Sequence, residues 1–279
     1  NKKCAYCIVP TTRGSEINRP LDEIIFESQE LVKQGAKELT YIGQTVNSWK
    51  HSKMRFNNLL DHLQEINGLE RIRFTTSFPK DISDKMISSM KNNNKVCRQL
   101  HLPVQSGSNR VLREMRRTYS IEWYKDRIQK LKDAIPDLAL STDIIVGFGS
   151  EKEDDFESTM NLIREIEFDT VYSFKYSVRP GTPGENMESH VPDKIASEWL
   201  SVLQAEQKEI TLKKNIEKIG SNFNVLLEGF SKQNNKDLFG RTTHNKVVNV
   251  KNVDQSFIGK TVRVKITNAM QNSLVGEII

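Results

Sequence analysis

The 279-residue chain has little of what a secreted or membrane-embedded protein needs. Three cysteines, Cys4, Cys7 and Cys97, are too few for a disulfide framework. The longest apolar run is about six residues, around 144–149, against the roughly 18 that span a bilayer. No charged-then-apolar leader opens the chain, so a reducing, cytoplasmic setting is the expectation. Neither a second C-x-x-C nor a pair of histidines at zinc-ligand spacing is present, which excludes a complete structural zinc site built from this sequence alone. Internal repeats and low-complexity tracts are also missing. The first residue is Asn1 rather than Met, and the chain reads as a fragment. What is present, 37% hydrophobic and 28% charged residues over this length, suits one large folded unit with a small one appended.

The net charge of +5 is unevenly spread. Residues 213–279 hold eleven Lys and Arg against five Asp and Glu, a surplus of +6 that leaves −1 on the first 212 residues. A small domain carrying the whole positive surplus attracts a polyanion, in a cytoplasmic protein a nucleic acid; the plainer alternative is a solvated basic surface.

Up to residue 212 short apolar strands alternate with amphipathic helices, the pattern of a parallel α/β sheet or an incomplete β/α barrel. Strands are predicted at 38–43, 70–76, 98–104, 140–148 and 170–177, and helices at 21–34, 56–66, 82–91, 109–116, 121–134, 151–166 and 193–219. Ser120 reads as an N-cap, Gly35 as a helix stop and Pro192 as the opening of the last helix. From about residue 220 the apolar period falls to two, with strands at 222–228, 238–242, 247–250, 261–267 and 273–278, which predicts a small closed antiparallel barrel of the oligonucleotide-binding kind. The expected domains are therefore 1–212 and 213–279.

Cys4-Ala5-Tyr6-Cys7 is the strongest chemical signal. Two thiols three positions apart can join an iron–sulfur cluster, share a zinc with further sequence, or form a redox pair, and Pro10 and Gly14 predict a loop after them. The pair alone leaves these alternatives open.

Seven further segments narrow them. CIVPTTRGSE at 7–16, IGQTVNSW at 42–49, IRFTTSFP at 72–79, LHLPVQSGS at 100–108, DIIVGF at 143–148, SFKYSVRPGTP at 173–183 and GRTTHNKVV at 240–248 together resemble the tRNA methylthiotransferases of the MiaB type, in order and over nearly the whole chain. Residues 1–7 resemble the end of the radical S-adenosylmethionine motif C-x-x-x-C-x-x-C, whose first cysteine would then precede Asn1. The resemblance implies an α/β fold, a partial β/α (TIM-like) radical SAM barrel, followed by a small all-β TRAM (OB-like) barrel that binds RNA. It implies a [4Fe–4S] cluster on Cys4 and Cys7 with one iron open to S-adenosylmethionine, and a second [4Fe–4S] cluster on an N-terminal domain that these residues do not include. The implied activity is methylthiolation of C2 of N6-isopentenyladenosine beside the tRNA anticodon, with an electron donor and a sulfur donor as partners and no membrane. Relatives acting on threonylcarbamoyladenosine or on a ribosomal protein, and a non-catalytic RNA-binding protein with a shared zinc site, are the alternatives. Without its first cysteine and N-terminal domain the chain is expected to be inactive by itself. Gly149-Ser150, where the family usually reads Pro-Gly, departs from the pattern and predicts a looser turn.

In a β/α barrel ligands gather at the C-terminal ends of the strands. Gln44, Asn47, Ser77, Gln105 and Ser106 follow predicted strands and are the expected cofactor-binding residues, together with Tyr6, which matches the family's aromatic position near the adenine. Turn and N-cap chemistry accounts for some of these residues equally well. Arg13 and Arg179 are candidates for a substrate or cofactor anion, and Arg241, Lys246, Arg263 and Lys265 for RNA; Arg13, Arg116 and Arg117 form a second basic cluster. Cys97 and His101 read as packed core residues.

Overall fold

A computed structural model describes residues 2–231 and 236–279; Asn1 of the N-terminal motif and Lys232 of the basic domain lie outside the described residues. In chain order α1 (Val9–Arg13) and α2 (Leu21–Lys33) precede β1 (Glu38–Tyr41), and a two-stranded ribbon, β2 (Lys50–His51) with β3 (Met54–Arg55), leads into α3 (Phe56–Gln64). Then follow β4 (Arg71–Phe74), α4 (Asp84–Asn92), β5 (Gln99–His101), α5 (Asn109–Glu114), α6 (Ile121–Ala134), β6 (Ala139–Val146), α7 (Glu153–Ile166), β7 (Thr170–Lys175) and the long α8 (Asp193–Ile216). The small domain is β8 (Asn222–Phe230), β9 (Leu238–Arg241), β10 (Val247–Val250), β11 (Thr261–Ala269) and β12 (Leu274–Ile278).

Five strands of the large domain, β1 and β4 to β7, run parallel to their neighbours. β1 pairs with β4, β5 with β6 and β6 with β7, and a bridge from Ile72 to Val96 joins the two groups into one curved, open wall. Parallel pairing forces helical crossovers, and these helices bury apolar stripes against the back of the wall. Leu59, Leu60 and Leu63 of α3 meet Ile72 and Phe74, and Tyr124 of α6 is fully buried with its hydroxyl donating to the Leu102 carbonyl at 2.8 Å.

Boundaries follow local chemistry. Ser120 caps α6 by accepting from the Trp123 N–H at 3.3 Å. The helix expected from residue 82 starts at Asp84, because Pro79–Asp81 form a 3-10 turn and Ser83 is the cap. The one expected from 151 starts at Glu153, because the Glu151 side chain turns back onto the Gly147 N–H while Asp155 accepts from the Lys152 N–H. The segment after Cys7 was expected as a loop and is one helical turn, α1: proline is tolerated in a first turn, where its missing N–H has no intrahelical partner.

The small domain closes into a barrel in the order β10-β12-β11-β8-β9, with Val225, Leu227, Leu238, Val248, Val250, Val264, Ile266 and Leu274 filling it. One pairing departs from the antiparallel expectation. β10 and β12 run parallel, because the chain crosses over through residues 251–260 before β11. So small a barrel needs close backbone approach at Gly240, where a Cβ would lie 2.1 Å from the Leu226 carbonyl oxygen.

This barrel docks on the N-terminal ends of the parallel strands. Arg71, the first residue of β4, donates to the carbonyls of Arg241 (2.7 Å) and Asn224 (2.9 Å). Arg73 grips Glu38 through two bonds, at 2.8 and 3.1 Å, and reaches the Thr242 carbonyl. Asp169, ahead of β7, receives both Lys214 (2.8 Å) and Lys246 (3.2 Å), and His244 meets Asp137 at 3.1 Å. α8 runs across the expected boundary at 212, its Asn215 donating to the Met270 carbonyl. Among the described residues no helix is long and apolar enough to cross a membrane.

Candidate functional site at the C-terminal ends of the strands

Cys4 and Cys7 lie at the opposite end of the wall, on a tight loop in which the Cys7 N–H donates to the Cys4 carbonyl at 3.2 Å. Between them, Ala5 is clamped from both sides: its N–H donates to the Met115 carbonyl at 3.0 Å, and its carbonyl accepts from the Gly184 N–H at 2.8 Å. Gly184 leaves room there, since a Cβ would sit 2.4 Å from the Tyr176 hydroxyl and 3.1 Å from the Ala5 carbonyl oxygen. Tyr6 packs edge-on to Phe148 with centroids 6.2 Å apart, and burial holds its phenol well above the usual range.

Behind Cys4 stands Arg117. Its guanidinium donates to Cys4 Sγ at 3.5 Å and to the Pro103 carbonyl at 2.9 Å, and it lies over the rings of Phe78 and Tyr119. Sequence reasoning grouped Arg117 with surface cations for RNA; the structure buries it against the thiol instead. Two adjacent arginines, Arg116 exposed and Arg117 enclosed by aromatics, carry no signal in the sequence beyond the neighbouring Tyr119.

The loop opens on a cavity of about 970 Å³, at the upper end of the range for small-molecule sites. Of the expected residues, Cys4, Cys7, Tyr6, Arg13, Gln44, Ser77 and Gln105 line it. Thr76 and Gln105, at the ends of β4 and beyond β5, hold φ values of +57° and +78°, backbone conformations that cost free energy in residues with side chains and that gather at functional sites. The Ser77 hydroxyl is buried there without a partner.

Three expected residues do not line the cavity. Asn47 is locked to the Phe78 backbone, donating to its carbonyl at 3.0 Å and accepting from its N–H at 2.8 Å, so it fixes the loop that carries Ser77. Ser106 faces α7, with its hydroxyl 3.4 Å from that of Thr159. Arg179 is exposed, and its carbonyl caps the following turn by accepting from Thr182. The Gly149-Ser150 turn, expected to be loose, is pinned: Arg110 donates to the Ser150 hydroxyl and to its carbonyl, each at 2.9 Å. Of the four cations expected on RNA, Arg263 and Lys265 are exposed on β11, Arg241 pairs with Glu228, and Lys246 is turned onto Asp169 at 14% side-chain exposure. Cys97 is buried beside Arg71 and Arg73 at the far end of the wall, and burial pushes its thiol up to about 11. His101 lies on the inner face, its Nε2 3.3 Å from Asp143 and its Nδ1 3.1 Å from the Ser141 hydroxyl.

No group of three or more Cys, His, Asp or Glu among the described residues is placed to hold a metal, so Cys4 and Cys7 are an incomplete ligand set. The donor chemistry suits a thiolate-bound iron–sulfur cluster with further ligation from outside. Soft sulfur ligands, a buried cation that offsets thiolate charge and an unpartnered hydroxyl face the same cavity.

The profile of the Radical SAM superfamily matches residues 1–163, and that of the TRAM domain matches residues 217–279. The chain belongs to the radical SAM superfamily. The tRNA-2-methylthio-N(6)-dimethylallyladenosine synthase of Caldicellulosiruptor saccharolyticus is 49% identical over 282 aligned residues, covering 100% of this chain and 59% of that protein. That of Syntrophotalea carbinolica is 43% identical over 98% of this chain and 63% of its own length. The chain thus spans about three-fifths of the length of these curated relatives. Among solved structures, the radical S-adenosylmethionine methyltransferase TsrM from Kitasatospora setae aligns with a TM-score of 0.55 at 17% identity, over 65% of this chain and 36% of that one. Coproporphyrinogen III oxidase HemN from Escherichia coli, described as a radical SAM enzyme, aligns with a TM-score of 0.54 at 14% identity over 98% of this chain and 68% of that one. At such identities these two show the shared fold alone, an open wall of parallel strands.

Proposed function

We propose that the chain is the radical-generating and RNA-holding part of an enzyme that methylthiolates C2 of N6-dimethylallyladenosine beside the tRNA anticodon. The observation that carries the proposal is the Cys4–Cys7 loop, backed by Arg117 at the mouth of a cavity lined by Ser77 and Gln105, in a chain 43–49% identical along its length to synthases of that name. Cys4 and Cys7 would hold a [4Fe–4S] cluster with a third thiolate from elsewhere, and Tyr6, Gln44, Ser77 and Gln105 would take S-adenosylmethionine. When bound, the pair supplies one-electron chemistry able to break an unactivated aromatic C–H bond, for which acid–base groups have no foothold.

The chain's own residues supply order. The double clamp on Ala5 sets the position of both thiols, and Arg117 places a positive charge against the Cys4 sulfur. Asn47 and the strained Thr76 aim the Ser77 loop at the cavity. Arg263 and Lys265 hold RNA phosphates, while the electron donor, the sulfur donor and a second cluster belong to the rest of the reaction.

Anaerobic reconstitution of the natural full-length protein tests this reading. Cys4→Ala and Cys7→Ala each should lose about one cluster's iron and sulfide and all cleavage of S-adenosylmethionine, whereas Cys97→Ala should keep both. A Cys7→Ala protein with native iron content and native cleavage would remove the basis of the assignment.

A further inference from the structure

The inner face of the wall beyond the thiol loop carries a second group of side chains with a common orientation. β6 and β7 are in register with Asp143 opposite Tyr172 and Ile145 opposite Phe174, so these four side chains stand on one face of the sheet. Asp143, Ile145 and Phe174 line the same cavity as Cys4 and Cys7. Phe174 and Tyr172 are 53% and 49% exposed, unusual for aromatic residues on a sheet face turned toward a cavity. Asp143 is held from below by His101, which is itself braced by the Ser141 hydroxyl at 3.1 Å and by the edge-on Tyr172 ring at 5.6 Å between centroids. A carboxylate fixed by a histidine still has lone pairs to spare, and here it shares a sheet face with two half-exposed aromatic side chains, of which Phe174 lines the cavity.

We propose that this face binds the reacting base of the RNA: Phe174 and Tyr172 offer a stacking platform, and Asp143 accepts the N6–H of a 6-aminopurine. Resting on the reaction proposed above, the assignment supplies what selects the nucleotide. An N6-alkylated adenine keeps one N6–H for Asp143, and its apolar substituent lies against Ile145. Stacking tolerates any base, so discrimination falls to the carboxylate, which sets acceptor against acceptor when a guanine-type 6-oxo group takes the place of the amine.

The test uses the natural full-length protein and two anticodon stem-loop RNAs that differ at one position, adenosine or purine riboside, which lacks the 6-amino group. The native protein should bind the adenosine RNA about tenfold more tightly, the worth of one hydrogen bond to a charged group. Asp143→Asn should reduce that ratio severalfold, and Phe174→Ala should weaken both RNAs alike. S-adenosylmethionine affinity, measured without RNA, should stay native in Asp143→Asn. A native ratio near one overturns the assignment without any variant, as does a ratio unchanged in Asp143→Asn. If cofactor affinity falls while the RNA ratio holds, the purine on this face is the cofactor's, which also overturns it. Failure of both RNAs to bind better than a scrambled hairpin instead removes the reaction on which the assignment rests.

Discussion

Glu151 makes the stability of the large domain depend on pH. Its side chain is 5% exposed in the turn after β6, with one oxygen accepting from the Gly147 N–H and the other, Oε1, without a partner. Burial pushes the carboxyl from the ordinary 4.5 up to about 7; bonds from the Gly147 and Phe148 backbone and the charge of Arg110 oppose the rise, and Asp155 adds to it. Between those two values the folded chain keeps a proton that the unfolded chain has released. Stability from this group is therefore complete below pH 4.5 and is lost as the pH climbs to about 7. The span corresponds to about 3 kcal/mol. Glu151→Gln removes the titration while its amide oxygen still accepts from Gly147. Urea unfolding followed by tryptophan fluorescence isolates the large domain, because Trp49, Trp123 and Trp199 all lie in it. The variant should gain on the native protein by about 3 kcal/mol between pH 4.5 and pH 8, with most of the change below pH 7. Parallel profiles across that range would refute the burial of an unsatisfied carboxyl at this turn.

Two further expectations concern the join between the domains and the RNA. Arg71→Met removes donors from the Arg241 and Asn224 carbonyls and should cost about 2 kcal/mol or more, splitting one calorimetric transition into two; an unchanged single transition would count against docking through this arginine. Arg263→Glu with Lys265→Glu should lower the slope of log affinity for an anticodon stem-loop against log salt by about two, with Lys246→Glu acting on domain docking instead; equal slopes in all three proteins would take β11 out of the RNA contact.

The periodicities carried the architecture because helix and strand burial repeat locally. All five strands of the wall and the helices between them fall where the 3.6- and 2-residue patterns put them, with shifts of a few residues where Ser83 and Glu151 form turn contacts that no period encodes. The parallel β10–β12 pair was illegible for a different reason: strand direction depends on where a crossover travels, and alternation is the same in either direction. At the site, position after a strand selected Ser77 and Gln105, which line the cavity, together with Asn47 and Ser106, which do not and whose polar atoms are taken up by Phe78 and Thr159. Arg117 went the other way, since only the fold brings it across more than a hundred residues to Cys4.

The small domain's positive surplus is divided between half-buried and outward-facing cations. Lys214 and Lys246 converge on Asp169, outside the small domain, so part of the +6 is neutralised at the join, whereas the Arg241–Glu228 pair already cancels within that sum. Arg263 and Lys265 keep their charge facing outward on β11. They stand on a domain fixed to the N-terminal ends of the wall by Arg71, Arg73 and α8, while the thiols and Asp143 belong to the other end and the inner face. The length of a six- to eight-residue strand, roughly 20 Å, separates the two ends. A mononucleotide is too short to touch both. On the function proposed above, a stem-loop whose phosphates lie along β11 while its reacting base enters the cavity would span that depth, and because α8 and the two arginines hold the domains in one arrangement, the span would act as a ruler that a free nucleotide does not satisfy.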